Sequence, residues 1–342
     1  MELSERKNRI LRAIVESYIQ TGEPVGSKTL LTETGIDVSP ATVRNDMADL
    51  LKKGYLYQPH TSAGRAPTVA GCRYYIDNLM TTKAPSQRAC DYIDAQLAAA
   101  ADTPENLLRC AAQLLSDYTG FAAVTTTPPA DDARVHRLHF IGTGRHTAMA
   151  VLVTTTGMVK TKLFRLNFVV TSDILEILNK LLNKALSGVP LKELTTPFVQ
   201  TIAASFGDIF LLTSQALVAI MDMAHSAQET EICTAGQQKL LFMPDVEMFT
   251  ARGIMSFLNN SEDVAKLVLS NKSSTKVLLG SESRNKDLAN AAVITSRYEI
   301  AGKAAGAVAL FSPLRIDYPA AVGAVSYISQ AVSNFLDEMV DI

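Results

Sequence analysis

The chain has 342 residues, of which 47% are hydrophobic, and a formal net charge of -2. This length predicts two or three domains, and the apolar fraction excludes an intrinsically disordered chain. The N-terminal segment lacks the apolar core of a signal peptide, and polar residues interrupt the longest apolar run, near 209–224. The sequence therefore predicts neither export nor membrane insertion, and we expect a cytoplasmic protein.

The N-terminal segment predicts a helix, a turn and a second, short helix. Apolar residues recur at helical spacing up to Gly22, namely Ile10, Leu11, Ile14, Val15, Tyr18 and Ile19. A turn at 24–26 follows, after which Ser27 is expected to cap a helix that ends at Gly35. Ser27 and Lys28, at the start of this helix, are placed to contact phosphate.

A third helix is predicted to begin at Ser39 as the N-cap and Pro40 as the first helical residue, and to end at Gly54. Its apolar residues, Val43, Met47, Leu50 and Leu51, share one face. Its opposite face carries Thr42, Arg44, Asn45 and Ala48. Arginine is suited to guanine and asparagine to adenine, and small side chains allow close approach to base edges. For this segment alone, an ordinary amphipathic helix with a solvated polar face remains the alternative.

The residues after this helix favour DNA binding. Residues 55–59 alternate like a strand, and 61–64 have the composition of a turn, which predicts a two-stranded basic wing. No acidic residue lies between Asp49 and Asp77. Basic residues in such an interval contact phosphate and position a protein on DNA, although each can also be a solvated surface charge. We assign Lys52, Lys53 and Arg73 to the DNA backbone, and Arg65 and His60 to the wing tip near a groove.

The predicted DNA-binding residues of this unit are Ser27, Lys28, Ser39, Thr42, Arg44, Asn45, Lys52, His60, Thr61, Ser62, Arg65 and Arg73. The first 82 residues contain ten Lys and Arg against nine Asp and Glu, a balance of only +1. We therefore expect binding to depend on sequence-specific contacts of a dimer, and we expect weak non-specific affinity.

The rest of the chain predicts a mixed helical and sheet architecture. After a polar linker at 81–86, helices are predicted at 87–101, 104–118, 172–186 and 320–339. Strands are predicted at 121–127, 134–141, 148–154, 158–166, 276–279, 298–300 and 305–311, with a turn around Thr156 and Gly157. This order suggests an α+β sensor-like sheet, interrupted at about 189–274 by a largely helical block. The apolar stretches 209–212 and 217–221 of that block require burial, either inside it or against a second subunit.

Catalytic and metal-binding motifs do not emerge from the sequence. The five histidines are scattered, and no G-x-S-x-G, P-loop or zinc-enzyme spacing occurs. The four cysteines have no C-x-x-C pairing, so reduced, buried thiols are expected. The segment 280–283 suits a plain turn better than an anion site. We predict a protein that is not an enzyme and uses no cofactor or metal.

Several long strings closely resemble the HrcA family, the bacterial heat-inducible transcription repressors. They are TGEPVGSKTL (21–30), VSPATVRNDMADL (38–50), QPHTSAGRAPT (58–68) and GCRYYIDNLM (71–80). Weaker similarity extends through 118–128, 167–188 and 312–319, so the resemblance covers nearly the whole chain. Where the family usually has Gly-Pro-Thr-Arg-Met-Asp-Tyr, this chain has Ser312 for the glycine, Leu314 for the threonine and Ile316 for the methionine. Serine does not take a glycine-only backbone conformation at low cost, which puts the family's local loop geometry in question here.

The resemblance implies a winged helix-turn-helix at 1–82, a helical linker at 83–117, a GAF-like domain at 118–188 and 275–342, and an inserted dimerising domain at 189–274. It implies a homodimeric repressor that binds an inverted-repeat operator, the CIRCE element, ahead of chaperonin and Hsp70 operons, and that is nucleoid-associated when bound. It also implies that a GroEL-type chaperonin keeps the repressor active until heat-damaged proteins compete for it. The alternative is a metabolite-controlled winged-helix repressor with a small-molecule effector in the GAF-like domain.

Overall fold

The computed structural model describes residues 3–34, 39–60, 63–127, 133–155, 158–207, 210–228, 230–243, 246–270 and 274–340. Helices and sheets are mixed throughout these ranges, which confirms the predicted α+β class. The chain divides into two compact units, Met1–Thr126 with Ile232–Phe335, and Thr127–Glu231 with Leu336–Ile342.

The elements follow one another in this order. The first half comprises α1 Glu5–Thr21, α2 Ser27–Thr34, α3 Pro40–Lys52, β1 Leu56–Tyr57, β2 Ala66–Pro67, α4 Val69–Asn78, α5 Gln87–Ala100, α6 Pro104–Thr119, β3 Ala122–Thr126, β4 Val135–Gly142, β5 Thr147–Thr154 and β6 Val159–Arg165. The second half comprises α7 Ser172–Leu186, α8 Thr196–Ser205, α9 Phe210–Gln228, β7 Ile232–Ala235, α10 Met248–Leu258, α11 Ser261–Leu269, β8 Thr275–Leu279, β9 Ala291–Ile300, β10 Lys303–Pro313 and α12 Tyr318–Val340.

The N-terminal module consists of α1 to α4 with the antiparallel pair β1 and β2. Its apolar core confirms the predicted inward faces, because Ile14 of α1 and Val43 and Leu50 of α3 are fully buried together. α1 ends at Gly22, which has a positive φ of 74° and donates its N–H to Tyr18. This left-handed residue ends the helix where the sequence predicted. The predicted end of α2 at Gly35 lies outside the described residues.

A five-stranded antiparallel sheet forms the centre of the same unit, in the order β7-β3-β10-β9-β8. α10 and α11 cover one face, where Ile254 and Val264 join a core with Phe311. α6 and α12 cover the other face: Thr125 donates to the Leu108 carbonyl at 2.8 Å, and the Glu299 N–H donates to Ser333 at 2.9 Å. Helices therefore protect both faces of this sheet.

The second unit contains a separate three-stranded sheet in the order β4-β5-β6. These strands were predicted to belong to the sensor-like sheet, but among the described strands β4, β5 and β6 pair only with one another. The segment that interrupts the five-stranded sheet therefore begins after Thr126 instead of near residue 189. The chain re-enters the five-stranded sheet at Ile232, the first residue of β7. β7, which the sequence analysis placed inside a helical block, pairs with β3 of the five-stranded sheet.

Two asparagines of α7 seal the outer edge of β4. Asn183 accepts from the Leu138 N–H at 2.8 Å and donates to the Leu138 carbonyl at 2.7 Å. Asn179 makes the same pair of bonds with Phe140, at 3.1 and 3.4 Å. These residues are four apart on α7, so their side chains share a face and reach alternate residues of the strand. The side-chain amides thus satisfy backbone groups that an edge strand otherwise exposes.

Two smaller findings complete the fold. Cys72, Cys90, Cys110 and Cys233 are partly buried instead of fully buried, and no disulfide links them. Burial raises the pKa of Cys72 to about 11, so its thiol stays protonated near neutral pH. None of the helices in the described ranges has both the length and the apolar character to cross a membrane.

Candidate nucleic-acid interface

The start of α3 is fixed by a side-chain cap. The Thr42 N–H donates to the Ser39 hydroxyl at 3.1 Å, and the two hydroxyl oxygens lie 2.9 Å apart. Pro40 follows as the first helical residue, as predicted. Because this cap satisfies an N–H group that the first turn leaves unpaired, α3 presents its N-terminal residues in a defined orientation.

The two faces of α3 differ in burial as the sequence predicted. Arg44 and Asn45 are exposed, whereas Val43, Met47 and Leu50 are buried. Thr42 is partly exposed beside them. The outer face of the N-terminal half of α3 therefore combines an arginine, an asparagine and a small hydroxyl side chain.

The acidic residues of α3 are turned toward α1 and neutralised there. Arg6 donates to the Asp46 carboxylate at 2.6 Å, and Lys7 donates to Asp49. The hydrogen bond and charge of Lys7 lower the pKa of Asp49, so this carboxylate remains ionised and paired. No local sequence pattern indicates these partners, because they lie about forty residues apart in the chain. Their effect is to remove negative charge from the outer face of α3.

α2 contributes to the same surface. Arg44 Nε donates to the Ser27 hydroxyl at 3.3 Å, so two predicted DNA-binding residues from different helices lie together. Lys28 is exposed next to them, and Lys52 is exposed at the end of α3. We call the surface formed by these side chains the α2–α3 surface. It consists of Ser27, Lys28, Thr42, Arg44 and Asn45, with Lys52 at the far end of the helix.

The β1–β2 hairpin is anchored to the turn before α2. Arg65 and Val25 exchange backbone hydrogen bonds of 2.8 and 2.9 Å. His60 is exposed, and Thr61 and Ser62 lie outside the described residues. Arg65 is half-buried on the loop side of the β1–β2 pair, where its Nη1 donates to the carbonyls of Ala63 and Gly64. The side chain of Arg65 therefore folds back on the hairpin loop, and its predicted contact near a DNA groove stays a prediction.

Arg73 is committed to contacts within the chain. Its guanidinium forms a two-pronged ion pair with Glu282, donates to the Val277 carbonyl at 2.7 Å and pairs with Asp77 at 3.1 Å. Burial lowers the pKa of Arg73, but its bonds with Glu282 and Asp77 outweigh this and raise the pKa above the ordinary value. These intrachain contacts occupy donors that a phosphate would need, so the predicted contact of Arg73 with the DNA backbone would require them to open.

A second arginine joins the N-terminal module to the five-stranded sheet. Arg315 Nη1 donates to the Ile19 carbonyl at 3.2 Å, near the end of α1. A positive charge at a helix C-terminus is favourable because the unpaired carbonyls there carry partial negative charge.

Ser312, which departs from the family pattern, is fully buried in β10 opposite Ala292, and the strand requires no glycine-only conformation of it.

The fold and this surface define a multidomain α+β protein whose N-terminal module carries a candidate nucleic-acid interface. The model of the HrcA protein C-terminal domain matches residues 105–322. The heat-inducible transcription repressor HrcA of Desulforudis audaxviator is 33% identical over 99% of both chains. The corresponding repressor of Symbiobacterium thermophilum is 31% identical over 98% of both chains. The chain belongs to the HrcA family, which confirms the resemblance that its motifs indicated.

A solved structure supports the fold independently. A crystal structure described as that of a hypothetical protein matches with a TM-score of 0.66 and 24% identity, over 98% of this chain and 99% of that chain. At this level of identity the match concerns the fold alone.

Proposed function

We propose that the chain is a heat-inducible transcription repressor whose N-terminal module is a winged helix-turn-helix that binds an inverted-repeat operator. α3 is the recognition helix and β1–β2 is the wing. The observation that carries this proposal is the exposed, acid-free outer face of capped α3, where Arg44 and Asn45 stand beside α2. In helix-turn-helix proteins the N-terminal residues of the recognition helix contact base edges in the major groove.

In this proposal the surface residues have separate tasks. Arg44 and Asn45 read bases, because arginine and asparagine bind guanine and adenine with two hydrogen bonds each. Ser27, Lys28 and Lys52 position the module on phosphates, and His60 lies on the wing with Thr61 and Ser62. Arg65 and Arg73 take structural roles, since their guanidinium groups contact the chain itself.

We further propose the CIRCE element ahead of chaperonin and Hsp70 operons as the operator, and a GroEL-type chaperonin as the partner that keeps the repressor active in the cytoplasm. Membership of the HrcA family supports both. The second unit has exposed apolar side chains to which a chaperonin would bind, because α9 leaves Leu211 75% exposed and Val218 51% exposed. Apolar surface of this kind makes a chain prone to misassembly before it is covered.

A mobility-shift titration tests the operator proposal. The full chain is titrated on a duplex carrying the intact inverted repeat and on one with a scrambled half-site, at physiological salt, with and without chaperonin. We expect tight binding to the intact repeat alone, strengthened by chaperonin. Equal, weak binding to both duplexes would contradict this operator, and full activity after refolding without chaperonin would contradict the chaperonin requirement.

The exposed face of the three-stranded sheet supports a homodimer. Ile141, Met149 and Leu163 lie side by side on this face, opposite one another in register on β4, β5 and β6. Leu163 is 66% exposed and Ile141 48% exposed. The other face packs on α7 and α9 through residues such as Phe140 and Leu152. A two-fold dimer through this face would carry one recognition helix for each half-site of an inverted repeat.

Replacing Leu163 with aspartate is expected to convert the dimer to monomer and to weaken operator binding at least tenfold, since each half-site would then be bound separately. The monomer should keep its stability because this side chain is largely exposed. Sedimentation velocity measures the oligomeric state, and Tyr92→Asp, at an exposed position on α5, is the matched control. A dimer that survives Leu163→Asp but dissociates with Leu211→Asp would move the interface to α9.

A second candidate function is a repressor controlled by a small-molecule effector. The specific observation that favours it is a groove of about 680 Å³ beside Ser281 and Arg284, in the segment where the sequence left an anion site open. Under this candidate, a bound metabolite shifts operator affinity. A change in operator affinity on adding a metabolite extract, without chaperonin, would distinguish it from the chaperonin mechanism.

A further inference from the structure

Two adjoining grooves lie between α4, α11 and β8. The first, of about 680 Å³, is lined on one side by α4 and on the other by β8 and the segment after it. The second, of about 490 Å³, is lined by α11 and shares Lys276, Leu278, Glu282 and Arg284 with the first. Both volumes fall within the range of small-molecule sites, roughly 300–1,000 Å³.

The shared wall carries two cations without acidic partners among the described residues, Lys276 and Arg284. The acids nearby are already engaged. Glu282 and Asp77 are ion-paired with Arg73, and Glu262 and Asp263 both act on Lys266, whose pKa they raise. An incoming anion would therefore meet two cations, Lys276 and Arg284, that form no ion pair with a described carboxylate.

The backbone at Arg284 supports this assignment. Arg284 has a positive φ of 56°, a left-handed conformation that is uncommon for residues with side chains. Its N–H donates to the Ser281 carbonyl at 3.0 Å and closes the short 3₁₀ helix that follows β8. This turn fixes the position from which the Arg284 side chain extends along the rim of both grooves.

We propose that these grooves bind a small molecule with two negative charges, carried by a phosphate group or by two carboxylates. The charged part is held between Lys276 and Arg284. Ser281 supplies a hydroxyl at the same rim. The apolar part of the ligand would rest on Ile76 of α4, Met80 just after α4, Leu278 of β8 and Val322 of α12. This inference deepens the second candidate function and rests on it.

The position of Arg73 connects this site to the DNA-binding module. Arg73 belongs to α4, directly after the wing, and lines the same groove as Glu282, its ion-pair partner. A bound anion attracts the Arg73 guanidinium and repels the Glu282 carboxylate, so it competes with the contact that holds α4 against β8. Ligand binding is therefore expected to change operator affinity by about 5- to 150-fold, the usual range for coupled sites.

Isothermal titration of the full chain with inorganic pyrophosphate and with citrate, without DNA, tests the site. Ionic strength is held constant with sodium chloride, because added anions screen charges in any case. We expect one saturable site per chain for one of the two probes. The double variant Lys276→Gln with Arg284→Gln should weaken it at least tenfold, whereas Lys286→Gln, an exposed lysine that lines neither groove, should leave it unchanged.

Two outcomes would overturn the proposal: no saturable binding at millimolar concentrations, or binding that the double variant leaves unaffected. If the double variant instead weakens binding to all DNA sequences and leaves pyrophosphate affinity unchanged, the two cations contact the DNA backbone, and the small-molecule site is wrong. Operator affinity without any added anion is measured in parallel. It reports on the repressor function itself, so failure of the anion site is distinguished from failure of operator binding.

Discussion

Replacing Asn45 or Arg44 with alanine is expected to weaken operator binding by about 1 to 3 kcal/mol, or roughly 5- to 150-fold, and to relax the preference for one base pair of each half-site. Both side chains are exposed on the first turns of α3, and the cap at Ser39 holds that part of the helix in place. The expected loss is that of the proposed base contacts and not of folding stability, because neither side chain belongs to the core of the module.

Lys52→Ala is the matched control, since Lys52 is exposed on the same helix but lies at its opposite end. It should weaken binding to all sequences alike and reduce the salt dependence by about one counterion. Titrations on the operator, on single-base variants and at several salt concentrations separate the two effects. Identical behaviour of Asn45→Ala and Lys52→Ala would show that the recognition face is assigned wrongly.

Gly71→Ala is expected to destabilise the N-terminal module by about 3 kcal/mol or more. A Cβ atom at this position would lie 2.1 Å from the Tyr55 carbonyl oxygen. That oxygen also accepts a hydrogen bond of 3.0 Å from the Thr68 N–H, so the backbone has little room to move. Because typical domains are stable by only about 5 to 15 kcal/mol, much of the module's stability, and with it operator binding near the heat-shock temperature, should be lost.

Gly26→Ala in the same module is the comparison. A Cβ atom there would meet only the Thr29 hydroxyl, at an ordinary 3.7 Å, and the backbone has no positive φ. The substitution should be neutral or slightly stabilising, because alanine restricts the unfolded chain. Urea denaturation followed by circular dichroism measures both variants. Equal midpoints for Gly71→Ala and the parent chain would mean that α4 does not pack on Tyr55 in this way.

Local patterns predicted the candidate site well where the signal lies within a few residues. The cap at Ser39, the buried face through Val43 and Leu50, and the exposed position of Arg44 all follow from spacing along one helix. The same holds for α7, whose buried residues Leu178 and Leu182 stand four apart. These features depend on the helical repeat alone, so no knowledge of distant parts of the chain is needed.

Contacts between residues that are distant in the sequence could not be predicted from local patterns. A period of two identified β4, β5 and β6 as strands, but it does not say which sheet each joins, and β3 pairs with β7 across more than a hundred residues. Arg73 likewise carries no local sign that its acid, Glu282, lies 209 positions away. A basic residue near a DNA-binding motif therefore looks the same whether it meets phosphate or a carboxylate of its own chain.

The asparagine pair on α7 has a consequence for how this protein withstands heat. An open strand edge is a template on which further chains add strands and grow into aggregates. At Leu138 and Phe140 the amides of Asn183 and Asn179 occupy that template, and Val135 farther along exchanges backbone bonds with Gly188 and Val189. In the folded protein this edge therefore offers no free backbone groups at these residues on which another chain could begin a fibre.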